Sequence, residues 1–401
     1  MKSGFVQGFT ALTVVSFFFV MGNLLIQPIL TLYMREVGAT LLEVGFMLAL
    51  SSLISTASRI PFGLASKKYG RKTVILFALI TQPLSIISLY LVPSPIWFYP
   101  VLIFRAIPFA AYWSSATALA SELAYGEKKG EMMGRYFTAF GLAMFFAPLL
   151  CSFLTDFITY RSIIMITLVF PVISTLIFLQ ARILRKKNVS FTFQSTESET
   201  RKGSVIGSLR RMFNSTNVKV LVFAGVFMSI PQGIFDALFS IHAKESLLFA
   251  PSLIALLFTA RGGANALIRT PIGKIMDIIG SRKRPLIIAY IFHTLAFLSI
   301  SLTSNYLFLV VGMILFGLGW GMRAVSGTTF LIENVQVADK DLALSMYVTT
   351  FGIGRFFGSI FVGALAPLLN TYDILKIPAV FIFLVIVAMI LFAKEEKQAP
   401  R

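Results

Sequence analysis

One cysteine, two histidines and few charges leave the chain short of the residues that make disulfides, metal sites and soluble surfaces. Cys151 stands alone in an apolar run, which excludes a disulfide framework and a cysteine-based metal centre. His242 and His293 are too far apart to suggest metal ligation. Charged residues make up only 13% of the chain against 57% hydrophobic, a balance foreign to soluble globular proteins. No Walker-type phosphate loop occurs, which argues against a nucleotide-driven activity. Acids are also scarce, 17 against 35 bases, and the resulting net charge of +18 raises the question of nucleic acid. The bases are scattered over short loops and one linker rather than gathered into a patch, which argues against that partner.

What the chain has in quantity is apolar length. Mean hydropathy is +0.84, there are 40 Phe, and apolar runs of about twenty residues recur, long enough to cross a bilayer. The first run, from Phe9 to Leu32, exceeds a signal-peptide core and has no clear cleavage site, so it reads as a spanning helix. Twelve spans are predicted, near 10–33, 44–65, 74–93, 99–121, 136–155, 162–182, 218–241, 252–273, 286–303, 306–331, 343–366 and 374–393. Loops 2–3, 6–7 and 8–9 carry Lys67, Lys68, Arg71, Lys72, the stretch from Arg182 to Arg211, and Arg282, Lys283 and Arg284. The opposite loops carry only Arg35, Arg161, Lys244 and Lys376. Positive-inside then expects a multi-pass protein of the cytoplasmic (inner) membrane with both termini cytoplasmic. Residues 183–217 form a polar linker, read as a solvated tether whose basic ends can lie on anionic lipid. Sequons at Asn188 and Asn214 fall in this cytoplasmic linker and carry no weight.

A short stretch occurs twice, 210 residues apart. Arg59-Ile60-Pro61-Phe62-Gly63, then Gly70-Arg71-Lys72, returns as Arg269-Thr270-Pro271-Ile272-Gly273, then Gly280-Ser281-Arg282. Span 5, from Tyr136 to Phe146, matches span 11, from Tyr347 to Phe357, at six of eleven positions with an offset of 211. Glu122 and Glu333 pair at the same offset. The expected fold is therefore an all-α membrane protein of twelve transmembrane helices in two pseudo-symmetric six-helix bundles, 1–182 and 218–401.

The twelve spans in two sixes, the long middle loop and the Gly-x(6)-Gly-Arg-Lys turn after span 2 resemble the major facilitator superfamily over essentially the whole chain. The resemblance implies alternating access, with spans 1, 4, 7 and 10 around a central cavity. There are departures. Lys67 stands where the family's turn carries an Asp, which the second copy keeps as Asp277. Arg105 fits an Arg of span 4 found in proton-coupled exporters, but Phe109 replaces the Gly four residues on. Span 5 has Pro148 without the Gly-Pro-Gly-Gly pattern of many antiporters.

Charge placement says which helices face inward. Arg59, Arg105, Asp236, Arg261, Arg269, Arg323 and Arg355 lie within spans 2, 4, 7, 8, 10 and 11, whereas His293 is the only ionisable group inside spans 3, 6, 9 and 12. A charge facing lipid costs about 3 kcal/mol or more, so the second set is the outer one. Asn23 and Gln27 share a face of span 1, and Gln232 and Asp236 share one on span 7, beside Pro28 and Pro231. These pairs serve either as cavity-lining polar faces or as interhelical glue. Asp236, the only carboxylate deep in a span, is either a proton carrier or the counter-ion of Arg261 or Arg355. Arg105, Arg261, Arg323 and Arg355 would favour an anionic cargo if two of them converge, and otherwise cap carbonyls. Tyr112, Trp113 and Trp320 offer a stacking wall or plain packing. Gly317-Leu318-Gly319-Trp320-Gly321 and Gly354-x-x-x-Gly358 lack the context of a nucleotide fingerprint and read as close helix contacts.

The two turns form the expected cytoplasmic gate: Arg59, Gly63, Lys67, Gly70 and Arg71 in one copy, Arg269, Gly273, Asp277 and Gly280 in the other. A charge-swapped pair of latches is expected, with Lys67 against Asp339 or Asp341, and Asp277 against Lys128, Lys129 or Arg135. The alternative is solvated loop charge. The functional expectation is a secondary transporter, not an enzyme. It is expected to act as a monomer in the lipid bilayer on a small-molecule substrate, without nucleic acid, metal or cofactor beyond a proton gradient. The cargo is an exported amphipathic compound or an organic anion, and a transporter-like membrane sensor is the rival reading.

Overall fold

The computed structural model describes residues 2–124, 129–181, 205–336 and 339–394. Among the described residues every regular element is helical, and twelve helices are long and apolar enough to cross a membrane. In chain order they are spans 1 to 12: Gln7–Leu24, Leu41–Tyr69, Arg71–Tyr90, Pro95–Leu123, Met132–Thr155, Tyr160–Gln180, Thr216–Ser246, Pro251–Ile279, Lys283–Leu302, Tyr306–Glu333, Leu342–Leu365 and Thr371–Phe392. Most of the expected linker, including Asn188, lies outside the described residues, as do Lys128 and the side chains of Lys129 and Asp341.

Two boundaries depart from the hydropathy reading. The first helix ends at Leu24 rather than running to residue 33, and a separate helix, Leu30–Glu36, follows. Pro28 has no N–H for the Leu24 carbonyl, so the Gln27 N–H takes it at 3.2 Å and the ladder slips by one residue. Span 7 is likewise broken, as Thr216–Phe227 and Ser229–Ile241 joined through Met228, just ahead of Pro231. Each break thus lies beside a proline, after Asn23 in span 1 and before Gln232 and Asp236 in span 7. Spans 2 and 8 run on past their prolines, Pro61 and Pro271, to Tyr69 and Ile279. Gly70 then separates spans 2 and 3 by a single residue at φ +90°, and its repeat Gly280 has φ +64°. A side chain there would meet its own carbonyl, which is why the last glycine of the repeated stretch is a glycine.

The chain divides into two compact units. The first comprises Met1–Lys187, Asp236–Gly263 and Ser359–Thr371; the second comprises Asn188–Phe235, Ala264–Gly358 and Tyr372–Arg401. In the first, backbones approach closely where glycine permits: a Cβ on Gly262 would lie 2.0 Å from the Met144 carbonyl oxygen, and one on Gly45 2.4 Å from the Gly363 nitrogen. In the second, Gly319 makes room for the His293 ring and Gly321 for Ile268 and the Asn265 carbonyl. The Gly-x-Gly-x-Gly run is a packing device, and it settles His293 as well. That ring is buried, bonded from Nδ1 to the Ala289 carbonyl oxygen at 2.8 Å, and set edge-on against Phe316. Spans 3, 6, 9 and 12 expose apolar stripes at helical spacing, such as Ile80, Leu84 and Ile87, or Ile288, Ile291 and Leu295. Span 7 is the most enclosed, with 72% of its apolar window buried.

Candidate functional site

Span 1 begins the site in the first unit. The slipped ladder before Pro28 frees the Asn23 carbonyl, and Arg105 of span 4 donates to it from Nη2 at 3.3 Å. Asn23 itself turns its amide back to the Phe19 carbonyl, 3.1 Å away. Arg105 caps this carbonyl through Nη2, and its Nη1 is buried without a hydrogen-bond partner among the described residues. Asn23 and Arg105 are thus brought together, and Gln27 is half-buried in the break. Phe109, four residues after Arg105, joins a run of rings: Phe19 lies against Tyr112 at 3.8 Å and Phe109 at 6.5 Å, Phe109 against Trp113 at 6.2 Å, and Trp113 against Phe140 at 5.2 Å. The departure from the family's glycine therefore adds a ring to the wall expected from Tyr112 and Trp113. Tyr112 is buried, and its hydroxyl shares a 2.7 Å bond with Ser16, which donates on to Tyr136 at 3.2 Å. Asp236 is half-buried, whereas Arg261 is buried with its guanidinium 4.8 Å from the Phe258 ring.

In the second unit Gln232 is buried, Trp320 and Arg355 are half-buried, and Arg323 is buried over the Phe351 ring at 4.8 Å. Phe351 in turn lies against the Tyr347 ring at 4.8 Å, so Arg323 and Tyr347 share one aromatic neighbour.

The basic loops hold a second set of contacts. Arg71 binds Glu122 at 2.8 Å, and Arg282 binds Glu333 at 3.2 Å. Each residue of the second pair is 211 positions after its counterpart, so one ion pair closes spans 3 and 4 and again spans 9 and 10. The two glutamates are recognisable as a repeat; adding the arginines to the same comparison identifies their partners. Asp277 pairs with Arg282 in its own turn at 3.0 Å, and Arg269 donates to Asn265 at 3.1 Å. Lys67 is exposed, Arg59 half-buried, and a Cβ on Gly63 or Gly273 would meet nothing within 4 Å. Asp339 accepts from Arg211, Nη2 to Oδ1 at 2.9 Å and Nε to Oδ2 at 3.2 Å. Arg211 belongs to the short helix Val205–Asn214, which sequence reading left inside the linker. Both latch acids whose side chains are described thus have partners in their own unit.

The Arg211–Asp339 fork carries a prediction. The hydrogen bonds from Arg211 hold the Asp339 carboxyl below its ordinary range. Its contribution is therefore present above the pKa of a free carboxylate and is lost only as pH falls through the still lower folded value. Trypsin cleavage after Arg210 and Arg211 is expected to rise about two- to fivefold in Asp339→Asn at neutral pH. Mild acidification to about pH 5 leaves the wild type unchanged, because both values lie below it.

The profile of the Major Facilitator Superfamily matches residues 12–230 and 221–401. The chain belongs to the major facilitator superfamily. Among its relatives is an uncharacterized MFS-type transporter of Methanocaldococcus jannaschii, 22% identical over 93% of this chain and 94% of the relative. A multi-drug resistance efflux pump, PmrA of Streptococcus pneumoniae, is 25% identical over 78% of this chain and 77% of its own. The crystal structure of nucleoside transporter NupG superposes with a TM-score of 0.76 at 15% identity, covering 96% of this chain and 98% of that one. The fold is that of superfamily transporters, whose members bind small molecules within a membrane.

Proposed function

We propose that this superfamily member is a proton-linked secondary transporter that exports a small organic solute across the cytoplasmic membrane by alternating access. In this reading, bundles 1–182 and 218–401, joined by 183–217, expose the site to each side in turn. The basic loops and both termini face the cytoplasm, following positive-inside. The protein works as a monomer and needs only a proton gradient. The observation that carries the reading is Asp236, the one carboxylate deep in a span, half-buried on the most enclosed helix and one turn from buried Gln232. An acid there is expensive unless it works. Family membership supports transport, the relative named as an efflux pump supports export, and the ring wall of Phe19, Phe109 and Trp113 supports a solute with an apolar body.

The test is uptake of labelled ethidium, benzoate and uridine by proteoliposomes of the purified chain, with and without an imposed pH gradient. At least one solute is expected to accumulate only with the gradient. Should none cross under any gradient, the transporter reading falls. Binding without crossing would mark a sensor built on a transporter scaffold.

A further inference from the structure

The two halves differ at one buried position in a way that points to a ligand. The offset of 211 maps Tyr112 onto Arg323 and Tyr136 onto Tyr347, and the offset of 209 that relates Asn23 to Gln232 maps Ser16 onto Gly225. In the first half the three hydroxyls satisfy one another through Ser16. The second half has lost the serine and gained a charge. Gly225 still lies beside Tyr347, since a Cβ on it would come within 3.4 Å of the ring. Yet the Tyr347 hydroxyl, the Tyr290 hydroxyl, Ser326 Oγ and Arg323 Nη1 are all buried without a hydrogen-bond partner among the described residues. Arg323 is 6% exposed and Tyr290 is fully enclosed. Ser115, the counterpart of Ser326, is likewise unbonded, so the weight rests on the arginine and the two tyrosines.

Buried donors rarely go without acceptors. Here the donors come from three spans, 9, 10 and 11: Arg323 and Tyr347 both lie against the Phe351 ring at 4.8 Å, and the Tyr347 hydroxyl lies by Gly327 of span 10 together with Leu286 of span 9, one turn before Tyr290. Among the described residues Arg323 forms no ion pair with a carboxylate, and its guanidinium lies over the Phe351 ring instead. A group that accepts several bonds at once and is negatively charged answers both deficits. A neutral acceptor would answer only the first.

We propose that Arg323, Tyr290 and Tyr347, with Ser326, form an oxyanion-binding site that takes the carboxylate or phosphate group of a small solute. This deepens the proposed transport function by giving the cargo an anionic head, and it rests on that reading only for the word cargo; the site itself is a binding claim. Phe351, which lies under Arg323 and against the Tyr347 ring at 4.8 Å, gives the guanidinium a cation–π contact that helps hold it in place.

The experiment reads binding rather than uptake. Thermal unfolding of the full chain in detergent is followed with benzoate, benzamide, inorganic phosphate and short-chain phosphatidylglycerol. Benzoate or phosphate is expected to raise the melting temperature saturably, and benzamide, the neutral counterpart of benzoate, is not. Arg323→Gln abolishes the shift, and Tyr347→Phe or Tyr290→Phe raises the apparent Kd about tenfold. Tyr136→Phe, at the mirrored position, leaves it within about twofold. Should Arg323→Gln fail to fold, the two tyrosine variants decide, since each removes a hydroxyl with no hydrogen-bond partner among the described residues. Anion binding that survives all three variants, or no anion binding in the wild type, overturns the site. A shift confined to phosphatidylglycerol assigns it to a lipid headgroup and overturns the solute. Arg323-dependent binding combined with no uptake in liposomes leaves the site standing and removes the transport reading.

Discussion

Gly358→Leu is expected to leave no stable protein. Three glycines lock spans 7 and 11 together within the second unit. A Cβ on Gly358 would lie 2.1 Å from the Ile230 carbonyl oxygen, one on Gly354 2.2 Å from that of Val226, and one on Gly233 2.3 Å from that of Arg355. The obstacles are backbone atoms, and backbone cannot change rotamer. Overpacking against side chains costs about 1–3 kcal/mol, and here the helix must move as a body, so the cost lies at or above the top of that range. A chain stabilised by roughly 5–15 kcal/mol has little room for it, and neighbouring contacts at Gly354 and Ser229 would be pried open together. Purified Gly358→Leu should be absent or polydisperse on size exclusion, and Gly358→Ala should melt well below wild type. Gly134→Ala is the control, because a Cβ there meets nothing within 4 Å; it should be neutral or gain up to about 1 kcal/mol in helix propensity. A monodisperse Gly358→Leu with wild-type melting would show that the seam is not close-packed.

That seam was legible in the sequence because membrane helices leave glycine few other reasons to recur every fourth residue. The spans were legible for a similar reason: lipid tolerates no unsatisfied backbone, so each crossing must be helical and apolar. The repeat supplied the rest of the architecture, down to Gly70 and Gly280, whose positive φ explains a conserved spacing between two otherwise different turns. Partner choice was not legible. Arg105 on an apolar helix announces only that something must accept its hydrogen bonds, and a backbone carbonyl freed by a proline 77 residues upstream leaves no mark on the pattern. Lys67 and Asp339 looked complementary by sign, but Arg211 reaches Asp339 from a helix hidden in a linker of low hydropathy. Opposite charges are many and cheap to match on paper, whereas the fold decides which are neighbours. The Arg323 site lies between these cases. Its members are visible in the sequence, but its significance depends on Ser16 bonding two tyrosines in one half and Gly225 bonding none in the other.

The largest functional effect is expected from Asp236→Asn. The change keeps shape and polarity and removes the one carboxylate deep in a span, the proposed proton carrier. In the coupled cycle the carboxyl takes a proton on the side of high activity and returns it on the other, so accumulation follows the gradient. Two pH units supply about 2.7 kcal/mol per proton, which supports roughly 100-fold accumulation at one proton per solute. With asparagine the solute should only equilibrate, a ratio of about one, so nearly all of that factor is lost. Exchange of labelled for unlabelled solute needs no net proton movement and should persist, and its persistence shows that the variant is folded and still binds. Asp236→Glu should retain part of the gradient-driven accumulation, since it restores a carboxylate at a displaced position. Asp236 follows the break at Met228 by two turns on span 7. Equal gradient-driven accumulation in wild type and Asp236→Asn would remove the proton from this residue and leave the counter-ion role in its place.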